Sequence, residues 1–301
     1  MTTEERSGRP RVVVGVDGSA PALDAVRWAA EDAVRHGLPL RLVHACATPP
    51  LRHHRSTAVA SDSLDLLIDR GRQFLREAVA FAVHVCPGLE TEQDLRVGQP
   101  AEVLLDAAAG ARMLVTGSRG LGGFRDLLLG SVSSAVSDHA TCPVVVVRSP
   151  ALGGPPRWDG PVVVGVDGTP ASEAAVAVAF EEASLRGAVL VAVHTWSDVA
   201  FSGMWMTLPL IVDWDVVAAE EAHLLDERMA GWQEKYPDVE VRRVVRRDRP
   251  VRALLDVAQD AALLVVGSRG HHDYAGLGLG STSRALLHSA CCPVAVVRPH
   301  H

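Results

Sequence analysis

Two glycine-serine loops hold the residues of this chain best suited to chemistry. One reads Gly117-x₂-Gly120-x₉-Gly130-Ser131-Val132-Ser133, the other Gly267-x₂-Gly270-x₉-Gly280-Ser281-Thr282-Ser283. Glycine tolerates positive φ and lets a backbone approach a ligand closely. Gly130-Ser131 and Gly280-Ser281 each open a helical pattern, and the unpaired N–H groups and dipole of a helix start favour an anion. The hydroxyls of Ser131, Ser133, Ser281 and Ser283 can add hydrogen bonds to a phosphate or a ribose. Together these parts form a phosphate cradle. The same residues also read as a Gly-rich turn followed by a Ser N-cap. Arg119 and Arg125 can serve the phosphates of the first loop; Arg269 repeats Arg119, but Ala275 stands where Arg125 would recur. Taken singly, each arginine reads as solvated surface. Neither loop is a Walker A motif, because the Gly-Lys-Ser/Thr that reaches β/γ phosphates is missing. Neither is the dinucleotide fingerprint, whose glycine spacing differs.

A carboxylate accompanies each loop. Asp17 and Asp167 end the β-branched runs Val12–Val16 and Val162–Val166. At the carboxyl end of a buried strand they project toward a crevice, where they can accept from an adenine amino group or a ribose hydroxyl. A turn or N-cap aspartate ahead of Gly18 or Gly168 is the structural alternative. His44 and His194 sit among apolar residues and read as satisfied strand-end histidines. His271, His272 and Asp273 read as an exposed loop.

The elements that position these groups come in two copies. Val-Val-Val-Gly-Val-Asp-Gly at 12–18 recurs at 162–168, Gly117-Ser118-Arg119-Gly120 at 267–270, and Cys142-Pro143-Val144 at 292–294. The offset is 150 residues throughout, far too long for a solenoid unit, so each copy is a whole domain. The domains are taken as 1–150 and 151–301, with the Gly/Pro-rich segment 149–161 as the linker. In the first copy, strands are expected at Arg11–Asp17, Leu40–Ala47, Glu92–Val97, Met113–Gly117 and Pro143–Arg148. Helices are expected at Ala20–His36, Ser61–Val85, Pro100–Ala109 and Ser131–His139. Five strands alternating with four helices imply a doubly wound parallel sheet, which binds ligands beyond its carboxyl strand ends where the strand order reverses. Each glycine loop follows the fourth strand.

Composition narrows the class. The chain has 301 residues, 48% hydrophobic and 22% charged, with net charge -7. It is globular, and no basic stripe points to nucleic acid. Lys235 is the only lysine. No apolar run reaches membrane-span length and no signal peptide is evident. Five cysteines without a C-x-x-C pair argue against a disulfide framework or zinc site and fit a reducing cytoplasm.

With the opening strands, the glycine loops and Cys-Pro-Val ahead of a final valine-rich strand, the chain resembles a tandem universal stress protein of the ATP-binding subclass. The resemblance covers nearly all of it. It implies a Rossmann-like sheet in the order 3-2-1-4-5 in each copy, with ATP and Mg²⁺ at the switch between strands one and four. Carried over residue by residue, Asp17 and the backbone of Ala45 would meet adenine. Gly117, Gly120 and Gly130 would line ribose and phosphates, with Ser131, Val132 and Ser133 completing the cradle. Gly15, Arg119 and Arg125 join this set. The second set is Gly165, Asp167, Thr195, Gly267, Arg269, Gly270, Gly280, Ser281, Thr282 and Ser283. The resemblance also implies pairing of the two domains through strand five, here Val144–Val147 and Val294–Val297, a homodimer, and a role in stress response or dormancy.

The expected function is a regulatory ATP-binding module whose state a protein partner reads, with no catalytic residue. A slow ATPase or nucleotidyl-transfer enzyme is one alternative. A partner-binding scaffold holding another adenosine nucleotide, such as cyclic AMP, is the other. The copies differ most at Pro49–Ala60 and Ser197–Trp214, the latter with Met204, Trp205, Met206 and Trp214. That cluster reads as a variable loop over the pocket mouth or as a partner surface.

Overall fold

The structure, a computed structural model, describes residues 9–47, 57–120, 129–148, 158–196, 213–270 and 278–299. The chain divides into two compact units, Met1–Pro156 and Arg157–His301.

In the first unit, strands β1 (Val12–Gly15), β2 (Leu40–Cys46), β3 (Thr91–Val97), β4 (Met113–Gly117) and β5 (Val144–Val147) alternate with helices α1 (Ala20–His36), α2 (Thr57–Val85), α3 (Pro100–Ala107) and α4 (Ser131–His139). The strands lie in the order β3-β2-β1-β4-β5, all neighbours parallel. Val12, Val13 and Val14 are fully buried because helices cover both faces of β1. Each such valine contributes about 1.5–3 kcal/mol of apolar burial. α1 and α2 pack together, as do α3 and α4.

Local chemistry sets the ends of α1. The Ser19 hydroxyl accepts from the Ala22 N–H at 3.3 Å, Pro21 occupies the first turn, and Gly37 closes the helix with φ 62°. Expected ends hold for α1, β4 and α4. β1 and β5 are shorter than their apolar runs, since a ladder needs a paired neighbour and side-chain pattern alone does not supply one. α2 starts at Thr57, four residues before the expected Ser61, and α3 ends at Ala107 rather than Ala109.

The second unit repeats the design. β6 (Val162–Val166), β7 (Leu190–Trp196), β8 (Val241–Arg247), β9 (Leu263–Gly267) and β10 (Val294–Val297) alternate with α5 (Pro170–Arg186), α6 (Trp214–Lys235), α7 (Pro250–Val257) and α8 (Ser281–Ser289). Its strands run β8-β7-β6-β9-β10, again parallel. Thr169 caps α5 by accepting from the Ser172 N–H at 3.2 Å. The aromatic rings of Phe180, Trp232 and Tyr236 stack between α5 and α6, and Trp232 Nε1 donates to Glu173 at 2.8 Å. β8 carries four arginines, Arg242, Arg243, Arg246 and Arg247. Arg242, Arg243 and Arg246 pair with Glu240, Asp226 and Asp256, so much of that charge is neutralised.

Among the described residues, no helix is long and apolar enough to cross a membrane.

Candidate functional site

In each unit the strand order reverses between the first and fourth strands, so a crevice opens where their carboxyl ends diverge. Asp17 stands just past β1. Its Oδ1 accepts from the Ser19 N–H at 3.0 Å and from the Ser19 hydroxyl at 2.6 Å. Its Oδ2 faces the glycine loop: a Cβ built on Gly120 would lie 2.3 Å from it. Asp167 repeats the arrangement. It accepts from the N–H and hydroxyl of Thr169 at 3.0 and 2.8 Å, and its Oδ2 lies 2.9 Å from a Cβ built on Gly270. The aspartate thus serves the turn with one oxygen and looks across the crevice with the other. The N-cap of the following helix is Ser19 or Thr169, not the aspartate.

The fourth helix of each copy starts without a side-chain cap. Gly130 and Gly280 are the N-caps, and neither helix has a side-chain hydrogen bond at that position. Ser131 and Ser281 are therefore first-turn residues rather than caps, and both are exposed. The first-turn N–H groups of Ser131, Val132 and Ser133, and of Ser281, Thr282 and Ser283, have no acceptor within their helices. Such an end attracts an anion.

Ser133 and Ser283 have a more specific structural task. Each is buried, and each hydroxyl donates to the carbonyl of the glycine ending the fourth strand, Gly117 at 2.7 Å and Gly267 at 2.6 Å. The proton is committed to the backbone, and only the oxygen's lone pairs remain for another partner. Gly117 and Gly267 themselves are packing residues. A Cβ on Gly117 would lie 2.6 Å from the Pro21 carbonyl oxygen, and one on Gly267 would lie 2.8 Å from the Ala171 carbonyl carbon. The missing side chain lets the start of α1 or α5 press against the strand end. A Cβ on Gly15 would lie 3.1 Å from Leu104, and one on Gly165 would lie 3.3 Å from Leu254. Arg119 is exposed, and Arg269 folds back so that its Nε donates to the Gly278 carbonyl at 3.3 Å. Arg125, Ala275, His271, His272, Asp273, Met204, Trp205 and Met206 lie outside the described residues.

Ala45 and Thr195 sit where the second strand outruns the first. The β1–β2 register ends at Gly15↔Val43 and the β6–β7 register at Val166↔His194, while Ala45 and Thr195 remain paired outward to Arg96 and Arg246. Their main chain on the first-strand side is past the last paired residues. His44 and His194 fasten this point: each Nδ1–H donates to the carbonyl of Val16 or Val166 at 2.7 Å. The two rings then diverge. His44 rests on Gly71, where a Cβ would come within 2.5 Å of its Cδ2, and meets Phe74 edge-on. His194 Nε2 pairs with Glu221 Oε2 at 2.8 Å.

In the second unit this region opens into a cleft of about 270 Å³. Val166, Asp167, His194, Thr195 and Trp196 line it from the strands, and Glu221, Leu224, Leu225 and Arg228 from α6. Of the described glycine-loop residues, none lines it. Asp167 lies between the two, with the cleft on one side and Gly270 facing its Oδ2. Trp196 stacks on Trp214, and the Arg247 guanidinium lies 4.0 Å from the Trp214 ring centre. Glu221, Arg228 and Trp196 escaped the sequence reading because they break the repeat. Their first-copy counterparts are Gly71, Ala78 and Cys46. The polar pair seven residues apart on one face of α6 was the available signal.

Fold and site together define a tandem pair of doubly wound α/β domains, each with a crevice that joins a strand-end carboxylate to an uncapped helix start. Sequence comparison assigns the class to a family. The Universal stress protein family matches residues 8–148 and again 160–298, and the chain belongs to that family. It is 42% identical over 295 residues to universal stress protein Rv2005c of Mycobacterium tuberculosis, covering 95% of this chain and 96% of that one. A universal stress protein of Mycolicibacterium smegmatis is 40% identical over 293 residues, covering 96% and 97%. The crystal structure of a universal stress protein from Archaeoglobus fulgidus superposes with a TM-score of 0.69 at 18% identity, covering 96% of each chain.

Proposed function

We propose that each copy binds an adenine nucleotide, ATP with Mg²⁺, and that the chain is a regulatory nucleotide-binding module whose occupancy a protein partner reads in a stress or dormancy response. The observation that carries this reading is the juxtaposition of Asp17 Oδ2 with Gly120, and of Asp167 Oδ2 with Gly270. A side chain at either glycine would crowd the carboxylate. A ribose or base edge can instead enter beside it.

The remaining parts fit the group. The uncapped starts of α4 and α8 offer N–H donors for phosphate oxygens. The backbone of Ala45 or Thr195 offers a donor and an acceptor to an adenine edge. Mg²⁺ would be held largely by phosphate and water, with the exposed Ser131 or Ser281 hydroxyl as the protein's contribution. Gly15, Gly117, Gly165 and Gly267 support this site by close packing, and Arg119, Arg125 and Arg269 border it in sequence. The Val144–Val147 and Val294–Val297 strands are the proposed domain-pairing edges, and a homodimer in a cytoplasmic setting completes the reading.

Denaturing the purified protein and identifying released nucleotide by chromatography and mass spectrometry tests the proposal. Adenine nucleotide approaching two equivalents per chain is expected. An empty protein that also takes up no ATP in calorimetric titration would sink it. Timed hydrolysis with Mg²⁺ separates a module from an enzyme: turnover within about 1–10³ s⁻¹ would assign catalysis instead.

A further inference from the structure

The copies diverge where their second strands end. His44 and His194 hold matching places, each with its Nδ1–H on the carbonyl of Val16 or Val166 at 2.7 Å. What meets the other ring nitrogen does not repeat. In the first unit it is Gly71, where an added Cβ would lie 3.0 Å from His44 Nε2 and 2.5 Å from Cδ2, so the ring would have to move to admit a side chain. In the second unit the same position is Glu221, whose Oε2 lies 2.8 Å from His194 Nε2.

That contact defines what Glu221 can offer. The Nδ1 proton is committed to Val166, so the bond at Nε2 takes a second proton, carried by the imidazole or by Oε2. With either placement Oε1 is an acceptor. Among the described residues Glu221 has no other hydrogen-bond or ion-pair partner. Its side chain is 26% exposed and lines the cleft of the second unit.

The cleft suits one planar ring system. Its volume of about 270 Å³ is below the roughly 300–1,000 Å³ of pockets that enclose a whole ligand. Val166 and Leu225 supply buried apolar lining, and Trp196, stacked on Trp214, adds an aromatic one. The cleft lies on the Thr195 side of Asp167, and Gly270 faces the Asp167 Oδ2 atom.

We propose that Glu221 is the base-specificity residue of the second copy: it accepts from the exocyclic amino group of a 6-aminopurine and disfavours a 6-oxopurine, whose oxygen would face an acceptor. The inference rests on the nucleotide reading above. A 6-amino group carries two hydrogens; the Thr195 carbonyl can take one and Glu221 the other, whereas position 71 of the first copy has no side chain to do so. A site built to bond a donor group rejects the analogue that lacks it, because the buried polar group is then left unpaired.

The test is calorimetric titration of the full chain and its Glu221→Ala and Glu221→Gln variants at pH 8 with ATP and with inosine triphosphate, the 6-oxo analogue. Melting temperatures of the three proteins check that folding is preserved. In the wild-type chain, inosine triphosphate is expected to bind one of two sites about ten-fold or more weaker than ATP. Glu221→Ala should shrink that ratio by about ten-fold. Glu221→Gln should keep most of it, since its amide can donate to neutral His194 and leave an oxygen to the cleft. A merely structural role would weaken both nucleotides alike and leave the ratio unchanged. A ratio unchanged in Glu221→Ala, a ratio lost equally in Glu221→Gln, or a wild-type chain that binds both nucleotides equally overturns the inference and leaves the nucleotide reading standing. A wild-type chain that binds neither nucleotide removes both.

Discussion

Gly120 and Asp17 are 103 residues apart in sequence, yet a single added carbon on Gly120 would press within 2.3 Å of the Asp17 Oδ2 atom. The aspartate cannot simply swing away, because Ser19 holds its other oxygen through two hydrogen bonds. The corresponding distance from Gly270 to Asp167 is 2.9 Å, a milder clash in the second unit.

Gly120→Ala should therefore weaken nucleotide binding at the first site by about ten-fold, and Gly270→Ala should weaken the second site less. Calorimetric titration with ATP checks both. Equal, negligible effects would mean that this carboxylate does not contact the ligand.

Gly117→Ala is expected to act on stability first. Its new Cβ would meet the Pro21 carbonyl oxygen at 2.6 Å, a backbone atom fixed at the start of α1. Overpacking of this kind costs about 1–3 kcal/mol. Urea unfolding should record that loss, and any fall in ligand affinity must be read against it. An unchanged midpoint would show that α1 can retreat freely.

Ser133→Ala removes the buried hydroxyl that donates to the Gly117 carbonyl at 2.7 Å. The loss should be about 1–2 kcal/mol, since the carbonyl is left without that donor. Ser283→Ala should match it, because the Ser283–Gly267 bond is equivalent. A marked difference between the two variants in denaturant titration would argue that one hydroxyl has a second partner.

The cysteines should differ sharply toward a thiol reagent. Cys142 is buried, and loss of hydration pushes its thiol up to about 11. Burial also raises Cys46. A raised thiol pKa lowers the reactive thiolate below it, so at pH 8 only about one Cys142 in a thousand is ionised. Cys291 is exposed. Iodoacetamide at pH 8 followed by peptide mass mapping should label Cys291 first and leave Cys142 and Cys46 last; early labelling of Cys142 would contradict its burial.

The duplication, the alternation of strand and helix, and the ends of α1, β4 and α4 were all written in the sequence. Local rules suffice there: Ser19 and Pro21 start a helix, Gly37 stops it, and β-branched runs make buried strands. The resemblance added the order 3-2-1-4-5, which the paired strands reproduce. The task of each glycine was not legible, because it depends on distant atoms. Gly117 is dictated by Pro21, Gly120 faces Asp17, and Gly18 lies under Phe74 while its twin lies under Arg228. Nor could sequence show that the hydroxyl of Ser133 turns inward to a strand carbonyl while Ser131 stays exposed. Repetition in the sequence made the two crevices look alike. Tertiary packing of α2 and α6, whose side chains do not repeat, made them differ: Phe74, with Arg70 on its ring, covers the turn in one and Arg228 covers it in the other, because only the folded chain brings those helices over the turn that follows the aspartate.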